Sequence, residues 1–252
     1  RRGDTGRTFH IEEIQDQVEL ALMRGEHHKV ARAYVLYREA RAQERAAAKV
    51  PAVRNAAMPS LNVKQANGSF APLDDARLTR VIEEACSGLA DVSSAPILAE
   101  TRRNLYDGIT LDELALAPIM AARTLIEQEP NYAFVSARLL MDKLRTEALS
   151  FVHGRPEQAT QADMAAGYGQ YFPDYIATGI KAELLDPELA RFDLARLAAA
   201  LKPERDLQFQ FLGLQTLYDR YFLQTRGVCV ELPQAFFMRV AMGLAIREID
   251  RE

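Results

Sequence analysis

Residues 105–149 read LYDGITLDELALAPIMAARTLIEQEPNYAFVSARLLMDKLRTEAL, two helix-like halves joined at EQEPNY. Tyr106-Asp107-Gly108 is a turn signal, since glycine supplies positive φ without a steric cost. Thr110 and Glu113 have capping-box spacing: the hydroxyl can accept from the Glu113 amide while the carboxylate reaches back to the Thr110 amide. Leu111, Leu114, Ile119, Ala122, Leu125 and Ile126 are expected to face inward. Pro118 interrupts that half, and an interior proline costs about 3 kcal/mol, so a kink or a later helix start is expected. Beyond the link, Phe134, Ala137, Met141, Leu144 and Ala148 make a second apolar stripe.

The same plan occurs earlier, at residues 10–45, HIEEIQDQVELALMRGEHHKVARAYVLYREARAQER. Ile11, Ile14, Val18, Ala21 and Leu22 line one face, and Val30, Ala33, Tyr34, Tyr37 and Arg41 line the next. Two amphipathic helices cannot bury themselves alone. The later copy is preceded by candidate partners in residues 61–105, and the earlier copy has none in this chain. A repeat of this length reads as a duplicated domain rather than a solenoid.

Between the copies, residues 47–60 carry two prolines and no strong period, a linker composition. Asn67-Gly68 then signals a hairpin with a two-residue type I′ turn, leading into a helix near Asp74. Leu78, Ile82, Ala85, Cys86 and Leu89 form that helix's apolar stripe, and Ser93 or Ser94 can cap the next, with Pro96 in its first turn.

Residues 151–167 are polar and patternless, a second linker. Asp186-Pro187-Glu188 starts a helix that ARFDLARLAAAL continues, and DLQFQFLGLQTLYDRYFLQ is expected to be another. TRGVCVEL carries a turn and a short β pattern. PQAFFMRVAMGLAIREIDRE opens on Pro233 and is apolar nearly all round at first, the pattern of a buried helix.

The 252 residues are 48% hydrophobic and 26% charged, with net charge −4, so no global attraction to nucleic acid is expected. No apolar run approaches the roughly 20 residues that span a bilayer. The two cysteines, Cys86 and Cys229, cannot form a CxxC pair or a four-ligand zinc site and read as buried free thiols, which suits a cytoplasmic setting. The chain opens without Met and closes within a helical pattern, so it is expected to be a piece of a longer protein.

No Gly-rich phosphate loop is present, and no Ser–His–Asp or Cys–His order is legible. His27 and His28 lie in a link and His153 in a linker, whereas His10 stands at a helix start and is kept as a ligand contact. Tyr37, Arg38 and Arg41 cluster on one helix; an aromatic plane beside guanidinium groups can hold a base and phosphates. The same residues also read as a solvated helical face. Lys143 and Arg145 are the counterparts in the later copy.

LYDGI…APIMAARTLIEQEPNYAFVSARLLMDKLRTEAL, followed by RYFLQTRGVCVELPQAFFMRVAMGLA, resembles the large (alpha) subunit of class I ribonucleoside-diphosphate reductase. The first stretch is similar to the tail of its ATP-cone, a four-helix regulatory domain with a β-hairpin lid. The second is similar to the N-terminal helical region of its α/β-barrel catalytic domain, and residues 10–45 resemble the rear half of another cone. The resemblance implies a mainly α chain: half a first cone at 1–46, a linker at 47–60, a second, degenerate cone at 61–150, a linker at 151–167 and catalytic-domain helices at 168–252. Tandem cones resemble the reductases of some Gram-negative bacteria.

The family's lid carries a basic pair before its Asx-Gly; here Gln65 and Ala66 precede Asn67-Gly68. The lid acid falls at Ala71, the polar base contact at Asp74, and the following lysine at Arg77. The polar opening of the third helix falls at Leu111 and a base-contacting histidine at Ala115, while the last helix keeps a cation at Lys143 and has Thr146 at the next position. Each charge-assisted bond contributes roughly 1.5–3 kcal/mol, so the second cone is expected to have lost nucleotide. The first cone, with His10, Tyr37, Arg38 and Arg41, is the expected sensor of Mg-bound ATP and dATP. The resemblance further implies a homodimer or higher alpha oligomer, and a small beta subunit holding the radical cofactor. It also implies nucleoside diphosphate substrates and a thioredoxin- or glutaredoxin-type reductant. Neither Cys86 nor Cys229 matches a family active-site cysteine, so the reaction's thiyl and redox-pair cysteines are expected outside this chain. The alternative is a non-catalytic helical scaffold or nucleotide-sensing interaction module.

Overall fold

The structure is a computed structural model that describes residues 61–65 and 67–249. Ala66 and the expectations for residues 1–60, including His10, Tyr37, Arg38, Arg41 and the 47–60 linker, lie outside the described residues. Ser60–Glu252 form one compact unit, mainly helical with small sheets.

The hairpin is β1 (Asn62–Lys64) and β2 (Phe70–Pro72), antiparallel with Val63 opposite Ala71. Its turn differs from the expected two-residue type. Gln65 N donates to Ser69 O at 2.8 Å and Gly68 N to Gln65 O at 2.9 Å, which leaves three residues between the closing pair. Gly68 takes the left-handed position at φ 82°, the arrangement of a three-residue loop ending in a bulge. Asn67 Oδ1 accepts from both Ser69 N and Ser69 Oγ, an Asx-type bond that fixes the loop locally.

Four helices follow. α1 (Asp75–Cys86) is capped by Asp74, whose carboxylate accepts from Arg77 N, and buries Leu78, Ile82 and Ala85. α2 (Ser94–Asn104) is capped by Ser93. A third strand, β3 (Ile109–Thr110), runs parallel to β1, giving sheet order β2-β1-β3. Gly108 at φ 84° lets the chain turn onto that edge; its amide bonds Asn62 O, and Asp107 caps the edge through Asn62 N at 2.7 Å.

α3 (Leu111–Arg123) begins at the expected capping box, with both reciprocal bonds present. It runs through Pro118, so its start is not delayed by the proline. Leu111 is a correction: it is 42% exposed, because the first helical position points away from the core while Ile119 and Ala122 turn into it. α4 (Tyr132–His153) is buried around most of its girth, at Val135, Leu139, Leu140, Met141, Leu144 and Ala148. It packs against α1 and α3 as well as elements that follow it, which makes it the axis of the unit.

The stretch 151–167, expected to be a linker, is helical at both ends. α4 ends at a left-handed Gly154 (φ 66°), and α5 (Gln161–Lys181) starts already at a Thr160–Asp163 capping box. α5 supplies Tyr168, Phe172, Tyr175 and Ile176 to the core.

The next helix is also broken where one run was expected. Asp186 caps a short 3-10 turn, Pro187–Arg191, and Asp193 caps a new helix, α6 (Leu194–Ala200), because each Asp side chain offers the backbone a fresh N-cap. Pro203–Gln208 is likewise a separate 3-10 turn before α7 (Phe211–Arg220). β4 (Gln224–Thr225) and β5 (Val228–Cys229) are joined by Arg226-Gly227, both at positive φ, so the mirror-type two-residue turn occurs here.

α8 (Pro233–Ala245) departs from the fully buried helix expected. It buries Gln234, Ala235 and Met242 but leaves Phe237 51%, Val240 39% and Leu244 85% exposed.

Candidate functional site

The hairpin, the start of α1, the start of α3 and the middle of α4 carry the positions at which a cone would meet a nucleotide. Each predicted residue has a different partner. Gln65 Nε2 donates at 3.3 Å to Val63 O of its own strand, and Asn67 is occupied by Ser69. Asp74 serves as a helix cap. Lys64, exposed at the end of β1, is the only cation within residues 61–72. Ala71 and Ala115 are apolar and half-buried, and Thr146 Oγ1 bonds the Asp142 carbonyl of its own helix at 3.0 Å.

Arg77 projects from α1 to α4. Its Nη2 lies 3.2 and 3.1 Å from the two oxygens of Asp142, whose side chain is only 13% exposed. Asp142 is also 3.5 Å from Arg145, a nearly fully buried guanidinium that donates to Ala159 O at 3.0 Å and Gln161 Oε1 at 2.9 Å. A continuous polar ladder therefore ties α1 through α4 to the head of α5. Glu84 Oε1 adds a second tie by accepting from Gln161 N at 2.8 Å.

Lys143 is held from the opposite side. Its ammonium bonds Glu147 one turn along α4 and Tyr218 Oη of α7 at 3.0 Å. Glu147 in turn accepts from Cys229 N of β5 at 3.0 Å and from Tyr218 Oη at 3.3 Å. Burial works against the lysine's charge, but the bonds to Glu147 and Tyr218 outweigh it and hold its pKa above the ordinary value. Asp112, at the mouth of α3, stands 3.9 Å from the same ammonium.

Sequence reasoning did not find Glu147, Tyr218 and Asp142. The i, i+4 spacing of Lys143 and Glu147 was legible, but Tyr218 lies 75 residues further on. Below this junction, Glu231 is fully buried and fully paired: Arg239 grips it with two 2.9 Å bonds, Tyr175 Oη donates at 2.5 Å and Leu223 N at 2.7 Å.

The expected nucleotide-facing cations of residues 61–147 are not open to a triphosphate. Arg77 and Lys143 each already face a carboxylate, and the hairpin offers no cation at Gln65. Among the described residues no group of three or more His, Cys, Asp or Glu side chains is placed to hold a metal ion. Both cysteines are free; burial pushes the Cys86 thiol up to about 11 and the Cys229 thiol up to about 12, the opposite of an activated nucleophile. Among the described residues no helix is long and apolar enough to cross a membrane.

Comparison with known families agrees with this layout. The ATP cone domain family matches residues 2–43 and 61–147, half of the chain. The ribonucleotide reductase all-alpha domain matches residues 207–252. The chain is 42% identical over 249 residues to the ribonucleoside-diphosphate reductase subunit alpha of Chlamydia trachomatis serovar D, covering 97% of this chain and 23% of that protein. It is 32% identical over 191 residues to the subunit alpha of Helicobacter pylori strain 26695, covering 75% of this chain and 22% of that one. It is 30% identical over 177 residues to the large subunit of Danio rerio, covering 69% and 21%. The chain thus spans under a quarter of the length of these relatives.

Proposed function

The chain belongs to the ATP-cone family, joined to the all-alpha domain of ribonucleotide reductase, and on that premise we propose that it is the N-terminal regulatory portion of a ribonucleoside-diphosphate reductase alpha subunit. The whole protein reduces ribonucleoside diphosphates to deoxyribonucleotides, with ATP activating and dATP inhibiting. It works in the cytoplasm as an alpha dimer or higher oligomer, with a beta subunit that holds the radical cofactor and a thioredoxin- or glutaredoxin-type reductant. Residues 1–46 are the rear half of the first cone, 47–60 the linker and 61–150 the second cone, with the reductase helices beyond.

The two cones divide their labour. The first senses Mg-bound ATP or dATP through His10, Tyr37, Arg38 and Arg41. The second has become a strut braced against the reductase helices that follow it. One observation carries this reading: Lys143 is bonded to Glu147 and Tyr218 rather than open to a phosphate. Losing two or more phosphate-facing cations, each contributing roughly 1.5–3 kcal/mol, weakens binding by several powers of ten.

The test is reductase inhibition by dATP in the whole protein. The R38A/R41A variant is expected to lose inhibition while keeping basal turnover, and K143M to keep both. Inhibition that survives R38A/R41A, or that disappears in K143M, contradicts the division.

A further inference from the structure

A cavity of about 570 Å³ lies behind the second cone, between the end of α1, the middle of α4, the head of α5 and the 3-10 turn Pro203–Gln208. Its volume is in the range of small-molecule sites. It is remote in kind from the hairpin site: its lining includes neither the hairpin nor α3.

Most of the wall is apolar, from Val81, Ala85, Ala165 and Leu207. The decisive group is Arg138. One of its terminal nitrogens spans the end of α1, donating to Ala85 O at 3.1 Å and Ser87 O at 2.7 Å. Both acceptors are neutral carbonyls, and among the described ion pairs none reaches Arg138. Its Nε is buried with no hydrogen-bond acceptor. The two carbonyls are the negative end of α1, which offsets part of the charge, but no carboxylate among the described ion pairs completes the pairing, so the guanidinium can still take an anionic partner from the cavity. Burial lowers its pKa, consistent with a charge that lacks a carboxylate partner.

The other charges in the wall limit what that counter-group can be. Arg145 is already bonded to Ala159 O and Gln161 Oε1. Glu84 and Glu204 add two carboxylates, which repel a polyanion. The pocket therefore suits one negative charge on a compact apolar body. We propose that this cavity binds a small aromatic or aliphatic monocarboxylate, its carboxylate on Arg138 and its body against Val81, Ala85 and Leu207. Because the walls come from the cone and from the helices after it, an occupant bridges the two.

The chain has no tryptophan, so the fluorescence of 2-naphthoate can be followed without an indole background. Titration of the chain with 2-naphthoate is expected to give saturable one-to-one binding. Binding should weaken at least tenfold in R138Q and in A165F, which fills the cavity from its rim without removing the charge. The neutral alcohol 2-naphthalenemethanol should bind at least tenfold more weakly, and neither dATP nor inorganic phosphate should displace the probe. Absence of saturation, equal affinity in both variants, equal affinity for the alcohol, or displacement by phosphate overturns the proposal.

Discussion

Replacing Glu147 by alanine removes the acceptor on which three elements converge. In the folded chain the Glu147 carboxylate serves the Lys143 ammonium, Tyr218 Oη and the amide of Cys229. The Cys229 residue is fully buried and Lys143 keeps only 10% of its side chain exposed. E147A thus leaves a largely buried cation facing Asp112 at 3.9 Å alone among carboxylates, and a buried N–H with no acceptor. Breaking a buried pair from one side costs about 3–5 kcal/mol. K143M differs, because Glu147 then keeps the Tyr218 and Cys229 donors; the expected cost is about 1–2 kcal/mol. For a unit of this size 1 kcal/mol moves Tm by roughly 2–4 °C, so E147A should lower it by about 10 °C and K143M by a few degrees. Urea unfolding followed by circular dichroism, with Tm from calorimetry, reads both. The pH dependence has a definite sign. The lysine's folded pKa lies above its unfolded value, so the stabilisation Lys143 confers is full below about 10.4 and is lost as pH rises through the folded value. A loss in E147A below about 1 kcal/mol, or a K143M cost as large as that of E147A, would refute the strut.

Three further outcomes follow from the structure. A Cβ on Gly179 would lie 2.5 Å from Leu185 Cδ1 and 2.7 Å from Cγ, so G179A should destabilise by about 1–3 kcal/mol, and adding L185A should not cost the full sum of the single changes. Glu113 is held below the usual carboxylate range by the Thr110 backbone bond, then by the Thr110 hydroxyl and Tyr106; the stability difference between the wild type and E113Q should therefore be present above about pH 4.3 and fade as pH falls through the lowered folded value. Iodoacetamide at neutral pH should leave the buried Cys229 unmodified in the folded chain, label the partly exposed Cys86 only slowly, and label both in denaturant, as read by intact mass.

Local chemistry was the legible part of the sequence. The capping box at Thr110–Glu113, the Ser93 cap, the helix start near Asp74 and the Leu78, Ile82 and Ala85 stripe of α1 follow from spacings within one or two turns, whereas Leu89 falls beyond the end of that helix. Nonlocal pairing was not legible. β3 is two residues long, and only its register against Val63 and Lys64 makes it a strand. The head of α5 hid behind a polar surface, although Thr160 and Asp163 carry capping-box spacing with a shorter acid than the usual Glu. At the candidate site the sequence located the cations but not their engagement. The carboxylate partner of Lys143, Glu147, lies one turn along its own helix, but the bond that ties the pair to α7 comes from Tyr218, far along the chain.

The central point is that Arg77 and Lys143, the two cations at the candidate site, are bonded to Asp142 and to Glu147 and Tyr218. Its sharpest test is a dATP–Mg titration of the chain watched by NMR at the amides of Gln65, Asn67 and Gly68 and at the Lys143 side chain. The account predicts that these signals stay in place at millimolar nucleotide. Saturable shifts at Gly68 and Lys143 with micromolar midpoints would contradict it.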